Sequence, residues 1–318
     1  MIYKSLKKHI SILFLVLSSI LMIAQDDEMD LLDLLGEPDV VNYTTASFKS
    51  TLVVNLESVE NTHKGVLDFK IMHRFGPVND GFYEFFGLDQ ATTRLGFKYG
   101  LTDRIEFGIG RSTLNKNYDG SFKWRILWQS TGSKIMPLSL SFYTVTSYQS
   151  VNYGENDPRE IYKVDKFSYT FQFLLARKFN EKLTMQLVPS MVHRNIVETS
   201  AESNDVFSLG LAGRIKLTNR LSINLEYYYS FPDQLASSYT NPLSIGLDLE
   251  TGGHVFQLLF TNAVGMVADQ AITETVGKWG NGDIRFGFNI SRVFTIVDPQ
   301  KEKVKKKSKT KKIGLNFA

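Results

Sequence analysis

Apolar and polar side chains alternate one for one along most of the chain. In 65–75 the apolar set is Leu67, Phe69, Ile71 and Phe75, interleaved with Asp68, Lys70 and Arg74. Residues 91–100 repeat the pattern with Leu95, Phe97 and Tyr99 against Arg94 and Lys98, and 121–129 with Phe122, Trp124, Ile126 and Trp128 against Lys123, Arg125 and Gln129. It recurs in 168–179, 206–217, 221–230 and 282–294, and more weakly in 104–112, 137–149, 183–193, 243–250 and 253–262. A period of two puts successive side chains on opposite faces of a strand, so these segments are expected to be β-strands.

Alternation alone suits a soluble sandwich as well as a membrane barrel. Three features separate them. The segments approach the 9–11 residues that a tilted strand needs to cross a bilayer. One face carries large aromatics on strand after strand while the other carries whole charges. Connections also alternate in length: Phe179–Leu183, Leu217–Leu221 and Tyr99–Ile105 are tight, whereas 150–165, 193–205, 230–242 and 262–281 are long. Tight turns at one end and long loops at the other is the outer-membrane pattern. After residue 25 there is neither a sustained 3.6 period nor a long apolar run, which excludes helical spans.

The expected fold is therefore all-β: a single antiparallel up-and-down transmembrane β-barrel of twelve strands, or fourteen if one strand escapes the pattern. Segment 47–59 (SFKSTLVVNLESV) is one strand-like piece too many for an even count. It is expected in the lumen or at the seam.

The two ends of the chain read differently. Lys4, Lys7 and Lys8 precede an apolar run from Ile10 to Ile23, with Ala24 and Gln25 before the acids. That run is too short to span a bilayer, so 1–25 reads as a cleaved signal peptide and the destination as the cell outer membrane. Residues 26–46 form an acidic periplasmic segment, with seven acids and no base between 26 and 39. Residues 47–297 make the barrel, and 298–318 a Lys-rich periplasmic tail. The tail reads as a solvated block or as a contact for a periplasmic partner or cell-wall polymer. With 36 basic and 33 acidic residues, a formal charge of +3 and no cysteine, the chain is not a nucleic-acid binder, a disulfide scaffold or a thiolate site.

Charges on a lipid-facing wall cost about 2–4 kcal/mol at mid-bilayer, so the charged face must point inward. Pairing Tyr99 with Ile105 sets Lys98 opposite Glu106, and pairing Leu217 with Leu221 sets Arg214 opposite Asn224 and near Glu226. A twelve-strand barrel is roughly 24 Å across its backbone, which leaves about 10 Å once side chains reach in. The inward group Asp68, Lys70, Arg74, Arg94, Lys98, Glu106, Lys123 and Arg125 is the candidate lumen or constriction set. It would favour small polar or anionic solutes. The alternative is a ladder of ion pairs that seals the lumen.

Enzymatic signals are thin. Gly108-x-Gly110 lacks the third glycine and the helix of a phosphate loop, and His63, His73, His193 and His254 show no ligand spacing. No metal and no cofactor is expected. A surface hydrolase would need His73 or His193 beside Ser112 or Ser190, and the chain reads as a non-enzyme.

His73-Arg74-Phe75-Gly76, Phe82 to Ala91, Tyr99 to Arg104, Gly108 to Ser112, Tyr118-Asp119-Gly120 and Lys123 together resemble the domain-of-unknown-function 5777 family of Bacteroidetes-type outer-membrane barrels. The resemblance would cover about residues 45–295. It implies a barrel with no established activity and carries over no catalytic residue.

The loop 76–90 holds Phe82, Tyr83, Glu84, Phe85, Phe86 and Asp89. Aromatics left in water are unfavourable, so the loop is expected to fold over or into the barrel mouth, where with Arg111 it forms a candidate gate or a packed plug. Gly287 to Phe294 has the form of a barrel-assembly signal. The expected partners are thus the barrel-assembly machinery, outer-membrane lipid and lipopolysaccharide. The leading reading is a narrow pore or facilitator, and the alternative a non-conducting docking barrel.

Overall fold

The structure, a computed structural model, describes residues 40–152 and 160–297. Residues 1–25, where a signal peptide is expected, most of the acidic segment and the Lys-rich tail lie outside the described residues.

Twelve strands close into one barrel: β1 Val66–Pro77, β2 Ala91–Gly100, β3 Ile105–Ser112, β4 Asn117–Leu127, β5 Ser139–Gln149 and β6 Phe167–Lys178, then β7 Leu183–Arg194, β8 Asp205–Lys216, β9 Leu221–Ser230, β10 Leu243–Thr251, β11 His254–Thr261 and β12 Arg285–Thr295. Each pairs antiparallel with its neighbours in sequence, and β12 closes on β1 through Ile290↔Ile71 and Ser291↔Lys70. This settles twelve strands over fourteen. The alternation predicts every strand to within a few residues. The largest difference is at β4, which starts at Asn117 because Tyr118 and Asp119 already alternate outward and inward ahead of Gly120.

The tight turns 101–104, 179–182, 217–220 and 252–253 lie at one end of the barrel together with the longer 128–138 connection, and the long loops at the other end together with the short 113–116 turn. Leu217 N–H donates to Leu221 C=O at 2.9 Å, and Arg214 pairs with Asn224 as the sequence indicates. The β2–β3 register differs from expectation by two residues: Tyr99 pairs with Phe107, and Lys98 with Gly108. The turn is centred one residue further along the chain, on Asp103: the Thr102 hydroxyl accepts from Arg104 N–H at 3.1 Å and Ile105 N–H at 3.0 Å, and Leu101 N–H donates to Ile105 C=O at 2.9 Å. A shift of two preserves the faces, so Lys98 and Glu106 remain inside.

Outside, the wall is an apolar belt that includes Leu95, Phe97, Phe107, Ile109, Leu211 and Leu258. Aromatic pairs tie adjacent strands, such as Phe69 with Phe97 at 4.9 Å between ring centroids. Inside, the lumen is filled from both ends. Residues 47–62 enter from the short-turn end and are buried almost throughout, with Val53, Val54 and Leu56 fully so. Segment 47–59 therefore lies in the lumen. The β11–β12 loop folds in from the other end and carries a short helix, α1 Ala268–Thr273, every residue of which is buried.

The two inserts share one apolar core. Phe48, Val53, Val54, Leu56 and Val59 of the first join Val267, Ala268 and Ile272 of the second and the inward apolar residues of β5–β8, such as Val145, Leu174, Val188 and Val206. Leu52, Met72 and Met266 make a second small cluster. The apolar residues of the wall are thus gathered mainly on β5–β8, among neutral polar ones such as Ser141, Gln172 and Gln186, and the charged ones mainly on β1–β4.

Candidate functional site

The charged side of the lumen is built by period-two placement alone. Asp68, Lys70 and Arg74 alternate inward on β1, Arg94 and Lys98 on β2, Glu106 on β3, and Asp119, Lys123 and Arg125 on β4; all are at most 8% exposed. All eight predicted lumen residues are therefore together on the inner face.

Each is engaged. Lys70 Nζ lies 2.7 Å from Asp68 Oδ2, and Arg94 forms a two-pronged ion pair with Asp119. Arg74 donates to Asn289 Oδ1 at 2.9 Å and Asn55 Oδ1 at 2.8 Å. The remaining bases turn to the inserted segment. Lys98 and Lys123 both donate to Glu57, at 2.6 and 2.9 Å, with Glu106 behind them at 3.7 and 3.4 Å. Arg125 reaches Val59 C=O at 3.1 Å and Glu60 Oε2 at 3.3 Å. An ammonium buried without such partners would carry a penalty of several kcal/mol, so segment and wall lysines neutralise one another's desolvation.

The backbone of the segment is held as well. Glu226 on β9 accepts from the N–H groups of Val54, Asn55 and Leu56 at 2.8–3.0 Å. It does not pair with Arg214, which donates instead to Ala46 C=O at 2.7 Å and Ser47 C=O at 3.0 Å. Glu106 accepts from Thr62 N–H at 2.6 Å, and Gln186 brackets the segment by accepting from Val59 N–H and donating to Glu57 C=O. Irregular chain at membrane depth needs partners for its backbone polar groups, and these side chains supply them.

Sequence reasoning did not pick out Glu57, Glu60, Asn55 or Glu226 as partners in this network. The visible signal was segment 47–59 itself, which carries Glu57 near its end and is followed at once by Glu60, while the wall opposite has a surplus of bases.

A cavity remains at each end. The one at the long-loop end holds about 440 Å³ and is lined by Asn115, Gln149, Arg194, Tyr239, Asp269 and Glu274 among others. Burial first, and then the neighbouring Asp269 carboxylate, push Glu274 up to about 7, and burial raises Asp269 as well. The cavity at the short-turn end is of similar size and includes Lys49, Glu60, Asn61 and Glu250. Among the described residues no cluster of His, Asp and Glu has the form of a metal site.

The aromatic loop departs from expectation. Phe82 is 80% and Tyr83 92% exposed, and Phe85, Phe86, Glu84 and Asp89 also stand clear of the barrel interior. The loop packs on its own strand end instead: Gly76 N–H donates to Gln90 C=O at 3.1 Å, and Gly87, at φ +83°, lies so close to Gly76 that an added Cβ would come within 2.4 Å of its carbonyl. The expectation treated water as the only outside medium, whereas the rim of a membrane barrel also borders lipid. Arg111 likewise faces outward, 5.5 Å over the Tyr118 ring.

The hydrolase pairs do not form. His73 stacks on Phe288 on the outer face, while Ser112 is buried on the inner one. His193 Nδ1 lies 2.6 Å from Asp205 Oδ1 on the outer face, and Ser190 points inward to Gln172.

A family model described as a membrane-bound β-barrel domain matches residues 48–294, which takes in all of the inserted segment but Ser47 and all of β12 but Thr295. The chain belongs to the domain-of-unknown-function 5777 family. Among solved structures this family barrel is similar to the NanC porin (9% identity, TM-score 0.45, covering 73% of this chain and 100% of that one) and the KdgM porin (9%, 0.43, 72% and 99%). Omp33 of Acinetobacter baumannii is similar at 7% identity and TM-score 0.39, over 75% of this chain and 100% of that one. No curated protein matches it.

Proposed function

We propose that this membrane-bound barrel sits in the outer membrane as a narrow facilitator for small polar or anionic solutes, held shut at rest by its own residues 47–62. The observation that carries this reading is Glu57 lodged between Lys98 and Lys123. The acids that neutralise those lysines come partly from the inserted segment and not only from the wall. When 47–62 shifts, Lys98, Lys123 and Arg125 lose Glu57 and Glu60, and the lumen gains net positive charge that draws anions. The cavities at the two ends provide the entrances on either side of the closure.

Single-channel recording of the purified barrel in a planar bilayer tests this. Wild type should show brief voltage-driven openings with anion preference. A variant lacking 47–62 should open steadily, and Lys123→Glu in that background should reduce the anion preference. A second reading, a non-conducting docking barrel, is favoured by the three-fold grip of Glu226 on the segment's backbone. Wild type that stays silent at every voltage, while folded by heat-shifted gel mobility, would establish that reading and remove the first.

A further inference from the structure

The outer face carries a feature that neither a sealed nor an open lumen requires. Across β2–β5 the outward positions are apolar, aromatic or threonine, with two exceptions, Gly120 and Arg111. Gly120 pairs with Ile109 on one side and Thr146 on the other, and nothing lies within 4 Å of where its Cβ would be. The missing side chain opens a groove of about 650 Å³ in the belt, bounded by Leu95, Phe97, Ile109, Tyr148 and Phe167.

Arg111 lies along this groove, one residue from the long-loop end of β3. Its Nε donates to Tyr118 Oη at 3.3 Å, and its terminal nitrogens have no hydrogen-bond acceptor among the described residues. Asp119, which also borders the groove, points inward and is held by Arg94. Lys116 adds a second exposed base on the adjoining β3–β4 turn. A guanidinium on a lipid-facing wall is costly unless an anion meets it, and its planar fork matches phosphate oxygens.

We propose that this groove binds one lipid of the outer leaflet, an acyl chain lying over Gly120 and a headgroup phosphate paired with Arg111. Charge complementarity selects the headgroup, and the glycine-carved trough selects the chain. The placement in the outer leaflet rests on the outer-membrane reading above; the site itself does not depend on whether the barrel conducts.

The test is native mass spectrometry of the folded, delipidated full chain in neutral detergent. The probes are diphosphoryl lipid A, the same lipid without its phosphates, and inorganic phosphate. One lipid A should be retained per barrel, and the phosphate-free form at least tenfold less. Arg111→Gln should cut retention of lipid A about tenfold, and Gly120→Leu should do so with Arg111 intact. Heat-shifted mobility confirms that both variants are folded. Equal retention of the phosphate-free lipid, wild-type retention by both variants, or inorganic phosphate displacing lipid A completely would each overturn the proposal.

Discussion

Glu57 accepts from Lys98 on β2 and Lys123 on β4, so one carboxylate of the inserted segment bridges the two strands that flank β3. Glu57→Gln removes the charge and keeps the shape. It leaves Glu106, at 3.7 and 3.4 Å, as the one carboxylate paired with the two buried lysines, with the Ser58 and Glu60 carbonyls still accepting from Lys123. Breaking a buried pair on one side costs about 3–5 kcal/mol. Urea unfolding from lipid vesicles should show a loss of that order. A change under about 0.5 kcal/mol, the range of an ordinary surface substitution, would mean that water already satisfies the lysines.

The grip of Glu226 on Val54, Asn55 and Leu56 predicts a local effect. In Glu226→Gln one of the two acceptor oxygens becomes a donor facing N–H groups. Each buried donor left without a partner costs about 1–3 kcal/mol. Amide exchange at 54–56 should then speed up by at least about tenfold while exchange in β1–β4 changes little. Uniform acceleration across the barrel would show that the segment and the wall unfold as one unit.

At the short-turn end the segment leaves the lumen by crossing Gly100 at backbone contact. A Cβ on Gly100 would stand 2.3 Å from Thr62 C=O and 2.2 Å from His63 C=O, and Gly65 N–H donates to Gly100 C=O at 2.8 Å. Gly100→Val should therefore lower the refolded yield several-fold, read by heat-shifted mobility. Gly120→Ala serves as the control, since its Cβ meets open space. Equal yields for the two variants would contradict the crossing.

What could be read in the sequence follows from which signals are local. The twelve strands and their facing were legible because side-chain direction depends only on parity, and a charge such as Lys123 facing lipid is too costly to be ambiguous. Pairing was less so: the Thr102 hydroxyl turn moved the β2–β3 register by two without changing either face. The aromatics of 82–86 misled because sequence does not say whether exposed means water or lipid. The inserted helix was missed because 262–281 reads as a polar, Gly-rich loop, although Val267, Ala268, Ala271 and Ile272 are spaced to bury one side of a short helix. Glu226 was placed inward correctly, but its partners lie some 170 residues away and no local pattern names them.

The cavity at the long-loop end makes the β11–β12 loop sensitive to pH. Glu274 accepts from Gln149 Nε2 at 2.9 Å and Asn115 Nδ2 at 3.2 Å, with burial and the Asp269 carboxylate raising it from 4.5 to about 7. Between those two values the folded loop keeps a proton that the unfolded chain has released, so the folded form becomes less stable as pH rises. The favourable contribution is fully present below about 4.5 and gone above about 7, and the raised Asp269 acts in the same direction. After correction for intrinsic exchange rates, amides of Ala268–Thr273 should be less protected at pH 8 than at pH 5 by at least about tenfold. Glu274→Gln should flatten most of that difference, because its amide carries no proton to lose. Equal protection at both pH values in wild type would show that Glu274 is already ionised in the folded loop, and the pH sensitivity would have to be abandoned.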